Sequence, residues 1–260
     1  MESKINRYSK QLILINSFFI LAWLVVSVFP FIWTFWGSFK VKADFFSRAD
    51  WMFAVTGVNT LIETGDTSTV KAYVESWTEG EFWKATMNTI IITVSVVTIS
   101  LFLGTLGAYA LSRSTYKYTF WILIAALIFR AMPHITLVSG YLFPFFQLNV
   151  WGILPTTIIV LVAINQPFTL WLLYSFFKTV PKELDESALI DGCSYFQAFR
   201  FVIMPVMWPG VVTAGLFSMM LAYNDFTVTS LLLNQQNYTM VPKINAYLGT
   251  IEHSGNYMWA

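Results

Sequence analysis

At 260 residues, with 57% hydrophobic, 18% aromatic and only 11% charged side chains, the chain carries less than half the charge of a soluble domain, where about a quarter of residues are charged. It reads as an integral membrane protein. The net charge of +1 is scattered over short segments, which excludes a nucleic-acid-binding stripe. The lone Cys193 excludes an internal disulfide, and no cluster of further ligands beside it suggests a metal.

Lys4, Arg7 and Lys10 precede a stretch without charge from Gln11 to Phe39. A signal peptide would show an apolar core of about 7 to 15 residues and a small-residue cleavage site, and neither pattern is present. About 20 residues cross the hydrocarbon, so a retained first span is expected over about 12–36, kinked at Pro30 and ending in the aromatic group Trp33, Phe35 and Trp36. The polar stretch from Lys40 to Lys84 mixes both signs of charge with an excess of acids. It is expected to be a loop or small cap, too irregular to capture a ligand alone.

The charge-free run 85–112 predicts a second span. Gly104, Gly107 and Ala108 lie three and four residues apart on it, a pattern that admits a close helix neighbour or, alternatively, a solute. Arg113 and Lys117 mark a short loop, and a third span is expected over 118–142. Arg130 lies roughly 18 Å along that span at 1.5 Å per residue, too deep to snorkel easily. His134 and Tyr141 follow four and eleven residues later and are placed on the same polar face. Two readings of Arg130 stay open: a guanidinium bonded to carbonyls freed where Pro133 breaks the helix, or a residue on a translocation path or gate. A fourth span is expected over 151–177, with Asn165-Gln166-Pro167 at mid-depth, where the amides serve the backbone groups freed by the proline or contact a solute. A fifth span over 206–233 carries Asn224 and Asp225 in its distal third. Asp225 is a candidate partner for Arg130, although their depths differ by about 9 Å on the same rise.

Between the fourth and fifth spans lies the one long charged, amphipathic segment of the second half, Pro181 to Pro209. Pro181 suits the start of a helix, and Glu183, Asp185 and Glu186 place negative charge in its opening turns. Leu184, Ser187, Ala188 and Asp191 share one face, and Gly192 offers the left-handed residue that ends the helix. Ser194 with Gln197 forms a capping box for a second short helix, closed by Pro205 and Pro209. Its carboxylates keep this pair of helices out of the hydrocarbon. A charged loop with two surface helices is the plainer alternative.

Glu186-Ser187-Ala188-x-x-Asp191-Gly192 followed by Ile203-Met204-Pro205 resembles the cytoplasmic coupling signature of ABC importer permeases, in particular the second permease of maltose-type carbohydrate importers. Ser187 replaces the usual first alanine, and Cys193 a common alanine or serine. Asn88, Arg130-x-x-Pro133, Pro181-Lys182-Glu183-Leu184 and Asn224-Asp225-Phe226 extend the resemblance over most of the chain. It implies an all-α membrane protein with the type I permease fold. The chain then divides into a first helix with its outer loop, 1–84, and a permease core, 85–260, with five spans present and a sixth expected beyond Tyr257-Met258-Trp259-Ala260 in a longer chain, a departure from the family being the alternative.

The implied partners are a second permease subunit, two copies of a cytoplasmic ATPase, an extracytoplasmic solute-binding protein facing the outer segment 234–255, and membrane lipid. The implied coupling residues are Glu186, Ser187, Ala188, Asp191 and Gly192: Glu186 and Asp191 as polar contacts, Ser187 and Ala188 as the small residues that permit close approach, and Gly192 as the setter of the helix angle. Arg130, His134, Asn165, Gln166, Asn224 and Asp225 are the candidates for the path or gate. No Gly-x-x-x-x-Gly-Lys-Ser/Thr pattern occurs, so no cofactor is expected in this chain, and ATP and Mg are assigned to the partner ATPase. Basic residues in short loops favour the cytoplasm. This places the amino terminus and the coupling segment inside and the acid-rich 40–84 loop outside; the resemblance implies a bacterial inner membrane. The solute class is a sugar or oligosaccharide by resemblance, with a polyol or glycerol-phosphate-type solute as alternative. A membrane enzyme built on Arg130, His134 and Asp225 is the competing class.

Overall fold

The computed structural model describes residues 2–38 and 68–249, and side chains over most of that range. Every regular element among the described residues is helical. The chain forms two compact units, Met1–Gly80 with Tyr247–Ala260, and Glu81–Ala246.

In the first unit, α1 (Glu2–Gly37) runs unbroken through Pro30, and Thr34 donates its hydroxyl to the Pro30 carbonyl. The proline interrupts no element here. Side chains from Leu12 to Phe35 are exposed all round. A helix that is apolar on every side faces lipid or another chain rather than water. α2 (Ser68–Thr78) follows. Most of the 40–84 loop and the place where a sixth span is expected to begin lie outside the described residues.

The second unit is the core. α3 (Phe82–Arg113) begins at Glu81, whose φ of 51° is left-handed. Glu81 pairs with Lys84, and that hydrogen bond holds its exposed carboxyl below the usual range. α4 (Thr119–Ala131) and α5 (His134–Gln147) are apolar enough to cross the membrane together but are bent by 85° at their junction. The continuous third span expected over 118–142 is therefore broken. Pro133 brings no N–H, and the residue before a proline is driven from the helical region; Met132 takes ψ 142°.

α6 (Leu154–Thr179) is continuous through Pro167. α7 (Glu183–Ile190) is separated by the Gly192 turn from α8 (Tyr195–Ala198). A π turn, Phe199–Ile203, joins α8 directly to α9 (Met204–Tyr223). Pro205 and Pro209 therefore do not close the second short helix, contrary to expectation. In the π turn the Met204 N–H bonds Phe199 O, five residues back. This register slip stands immediately before Pro205, which has no N–H to give. α10 (Thr227–Leu232) and α11 (Met240–Gly249) follow. The fifth span is thus displaced from 206–233 to a run over Tyr195–Tyr223.

α3 packs along α6, and α9 lies against both. A Cβ on Gly104 would stand 3.0 Å from Thr169 Cγ2, one on Gly107 3.1 Å from Leu170 Cδ1, and one on Gly210 2.8 Å from Phe176 Cγ. Close helix approach is what these glycines serve. Two apolar clusters occupy the ends of the unit. One gathers Ile92, Val96, Val138, Val160 and Leu232; the other gathers Leu173, Phe177, Phe199, Ile203 and Met207. Buried Ser100, Asn165, Thr169 and Ser218 belong to neither cluster.

Candidate functional site

Two places collect the singled-out residues. The first is a cavity of about 530 Å³ bordered by Arg130, His134, Asn165, Asn224 and Asp225, with Phe168 and Phe217 among its walls. The broken helices build it. The α4–α5 corner puts Arg130 in the last turn of one helix and His134 at the first position of the next. The end of α9 puts Asn224 and Asp225 in the gap before α10. A second cavity of about 590 Å³ is lined by Arg130, His134, Tyr141 and Gln166. Five of the six candidate path residues therefore meet around one cavity, and Gln166 borders its neighbour. A shared helix face is not what joins Arg130 to His134 and Tyr141, since the helix breaks between them.

Arg130 and Asp225 at the first cavity are each served by backbone groups. Arg130 donates to Ile164 O at 3.3 Å and stands 5.3 Å from the centre of the Phe168 ring. Asp225 Oδ1 accepts the Val228 and Thr229 N–H groups at 2.9 and 3.0 Å, satisfying donors that the first turn of α10 leaves free. The Arg130–Asp225 ion pair does not form among the described residues. Each side chain is instead engaged by backbone, Arg130 on α6 and Asp225 where the helix restarts. Asn224 Nδ2 donates to Met220 O, and Asn165 Nδ2 donates to the Ser218 hydroxyl, linking α6 to α9.

The second place is the α7–α8 pair. Gly192 adopts φ +89°, and no atom lies within 4 Å of where its Cβ would stand. The Cys193 N–H reaches Ala188 O at 3.0 Å and the Gly192 N–H reaches Leu189 O at 3.1 Å, the paired bonds of a Schellman turn. The capping box is present: the Gln197 N–H bonds Ser194 Oγ at 3.3 Å, and the Ser194 N–H bonds Gln197 Oε1 at 2.8 Å. Glu186, Ser187, Ile190, Asp191 and Gly192 are exposed, Ile190 by 86%. Ala188 is buried at 4%, so it cannot offer a partner a surface. Its small size lets α7 sit down on its own chain. The inward face is Leu184, Asp185, Ala188 and Leu189, while Ser187 and Asp191, expected on that face, point out.

Sequence reasoning missed the polar anchor of this pair. Asp185 Oδ2 stands 2.8 Å from Arg113 Nη2, at the end of α3, and Tyr109 donates its hydroxyl to Asp185 Oδ1 at 2.6 Å. Arg113 Nη1 also donates to Val180 O at 3.1 Å and Phe177 O at 3.3 Å, two carbonyls at the end of α6. The available signal was an arginine closing a long apolar helix; nothing local named its partner.

Residues 11–256 match the family described as binding-protein-dependent transport system inner membrane component. The chain is 28% identical over 250 residues to the diacetylchitobiose uptake system permease protein NgcG of Streptomyces coelicolor, covering 92% of this chain and 75% of that protein. It is 30% identical over 236 residues to the trehalose/maltose transport system permease protein MalG of Thermococcus litoralis, covering 90% and 79%. In fold it resembles a bacterial ABC transporter involved in the import of the acidic polysaccharide alginate, with a TM-score of 0.72 at 20% identity over 94% of this chain and 81% of that one. A helical core with apolar spans, an exposed glycine-turned helix pair and a family match over nearly the whole chain lead to one assignment: the chain belongs to the binding-protein-dependent transport system inner membrane components, the permease subunits of ABC importers.

Proposed function

We propose that the chain is one of two permease subunits of an ATP-driven importer of a sugar or oligosaccharide, working with two copies of a cytoplasmic ATPase and an extracytoplasmic binding protein. The observation that carries this reading is the α7–α8 pair. It is an exposed, glycine-turned helix pair whose second helix runs on through the π turn into the apolar α9. ATP and Mg belong to the ATPase. Glu186 and Asp191 contact it, Ser187 permits close approach, and Gly192 fixes the angle at which displacement of α7 is handed on. Ala188 contributes from beneath by seating the helix. The amino terminus and this pair share the cytoplasmic side.

Arg130, His134, Asn165, Gln166, Asn224 and Asp225 line this subunit's share of the path. The amides, guanidinium and flanking aromatic rings suit a solute recognised by hydrogen bonds and stacking. The carbohydrate-related names of the relatives support the solute class. The test is uptake of labelled oligosaccharides into proteoliposomes holding the assembled importer. Import that requires ATP and the binding protein supports the reading, and import indifferent to both overturns it.

A further inference from the structure

The acids of α7 face two ways. Glu186 and Asp191 are exposed and have no ion-pair partner among the described residues, which suits contact with another chain. Asp185 turns inward. The Arg113 and Asp185 side chains are 16% and 14% exposed, shielded enough that the pair differs from a surface salt bridge worth little. Removing one partner would strand a charge in a poorly solvated place.

The pair also has unusual reach. Arg113 closes α3 and grips the final carbonyls of α6, groups that a helix end leaves without an internal partner. Tyr109, one turn earlier on α3, lays its ring 5.7 Å from Phe177 of α6 and 4.8 Å from Phe199 of the π turn while its hydroxyl holds Asp185. Four elements are therefore joined through the three side chains Tyr109, Arg113 and Asp185. The apolar contacts of α7, through Leu184 and Ala188, are small and non-directional. The Tyr109–Asp185 hydrogen bond fixes direction as well as distance, and the Arg113 charge beside it adds attraction.

We propose that Asp185 is a positioning residue for transport: with Tyr109 and Arg113 it forms a strut that passes displacement of α7 into α3 and α6, alongside the covalent route through α8 and α9. This rests on the coupling reading of the α7–α8 pair. A helix pushed from outside moves its neighbours only as far as its inward contacts resist shear. Without the strut, α7 slides on Ala188 and Leu184, and part of the ATP-driven motion is lost before it reaches the spans.

The experiment uses the full importer in proteoliposomes, with binding protein and an oligosaccharide it carries, and reads solute imported per ATP hydrolysed beside co-purification of the ATPase. Asp185→Asn keeps the shape of the side chain and an acceptor for Tyr109 while removing the charge. It is expected to keep the ATPase bound and to lower import per ATP by about tenfold, the size of an ordinary coupling free energy. Asp185→Glu is expected to recover most of the loss. Tyr109→Phe keeps the ring and removes one hydrogen bond, so a fall of about threefold is expected; this variant decides the matter if Asp185→Asn fails to assemble. Wild-type import per ATP in Tyr109→Phe and in any assembled Asp185→Asn overturns the strut while leaving the coupling reading intact. Failure of the wild-type chain to bring down an ATPase overturns both.

Discussion

The cavity and the coupling end handle charge in opposite ways. At the cavity, Arg130 and Asp225 are each engaged by backbone groups, through Ile164 O for the first and the opening N–H groups of α10 for the second. At the coupling end, Asp185 is engaged by side chains of another helix, Tyr109 and Arg113. Asp225 stays tied to its own corner of the fold and Arg130 ties α4 to the α6 backbone, whereas Asp185 ties α7 to α3 through side chains that themselves reach α6 and the π turn. The difference implies that Asp225 can be altered with local consequences, while changes at α7 are felt through the assembly.

The sharpest break of that comparison is at the outward acids. Glu186→Arg places a repulsive cation on an exposed position and should abolish retention of the ATPase, while stability changes by no more than about 0.5 kcal/mol, as for surface substitutions generally. Pull-down and thermal unfolding, run side by side, check the contrast. Gly192→Val comes next. The site has room for the side chain, but φ +89° is costly for a β-branched residue, about 1 to 2 kcal/mol. The turn therefore re-forms at another angle, and uptake and ATPase stimulation should fall about tenfold.

Gly210→Ala tests the helix contacts shared by both regions. With Phe176 Cγ 2.8 Å from the new Cβ, overpacking should cost about 1 to 3 kcal/mol, read in detergent as a lowered melting temperature. The smallest effect is expected at the cavity. Asp225→Ala frees two N–H groups of α10 and should cost about 1 kcal/mol, in the manner of a lost helix cap. ATPase retention should be unchanged, which a pull-down measures.

Local signals were legible because their causes are local. The Gly192 turn and the Ser194–Gln197 capping box are written in neighbouring residues, and both formed as expected. Long apolar runs announced the spans, and one reading of Arg130 placed a break at Pro133, but a proline inside an apolar run fits a kink and a break equally well, so the 85° corner itself was not legible. On α7 the spacing put Ser187 and Asp191 on one face with Leu184 and Ala188, and a helix of eight residues holds no second repeat to test that face against another. Only tertiary packing chose the one through Asp185 and Ala188. The Arg113–Asp185 pair was invisible for a different reason: three helices separate its members, and no periodicity carries over that distance. Arg130, His134, Asn165, Asn224 and Asp225 were legible one by one as polar groups in apolar runs, but depth along the spans set Arg130 and Asp225 apart, and the two helix breaks that bring all five to one cavity were not legible.

The account turns on what touches the outer face of α7. A photo-reactive residue placed at Ile190, 86% exposed, in cells producing the whole importer reports that contact directly. The account predicts a cross-link to the ATPase subunit, lost in Glu186→Arg. Efficient cross-linking to lipid or to other chains, with no ATPase captured from a transport-active complex, would contradict it.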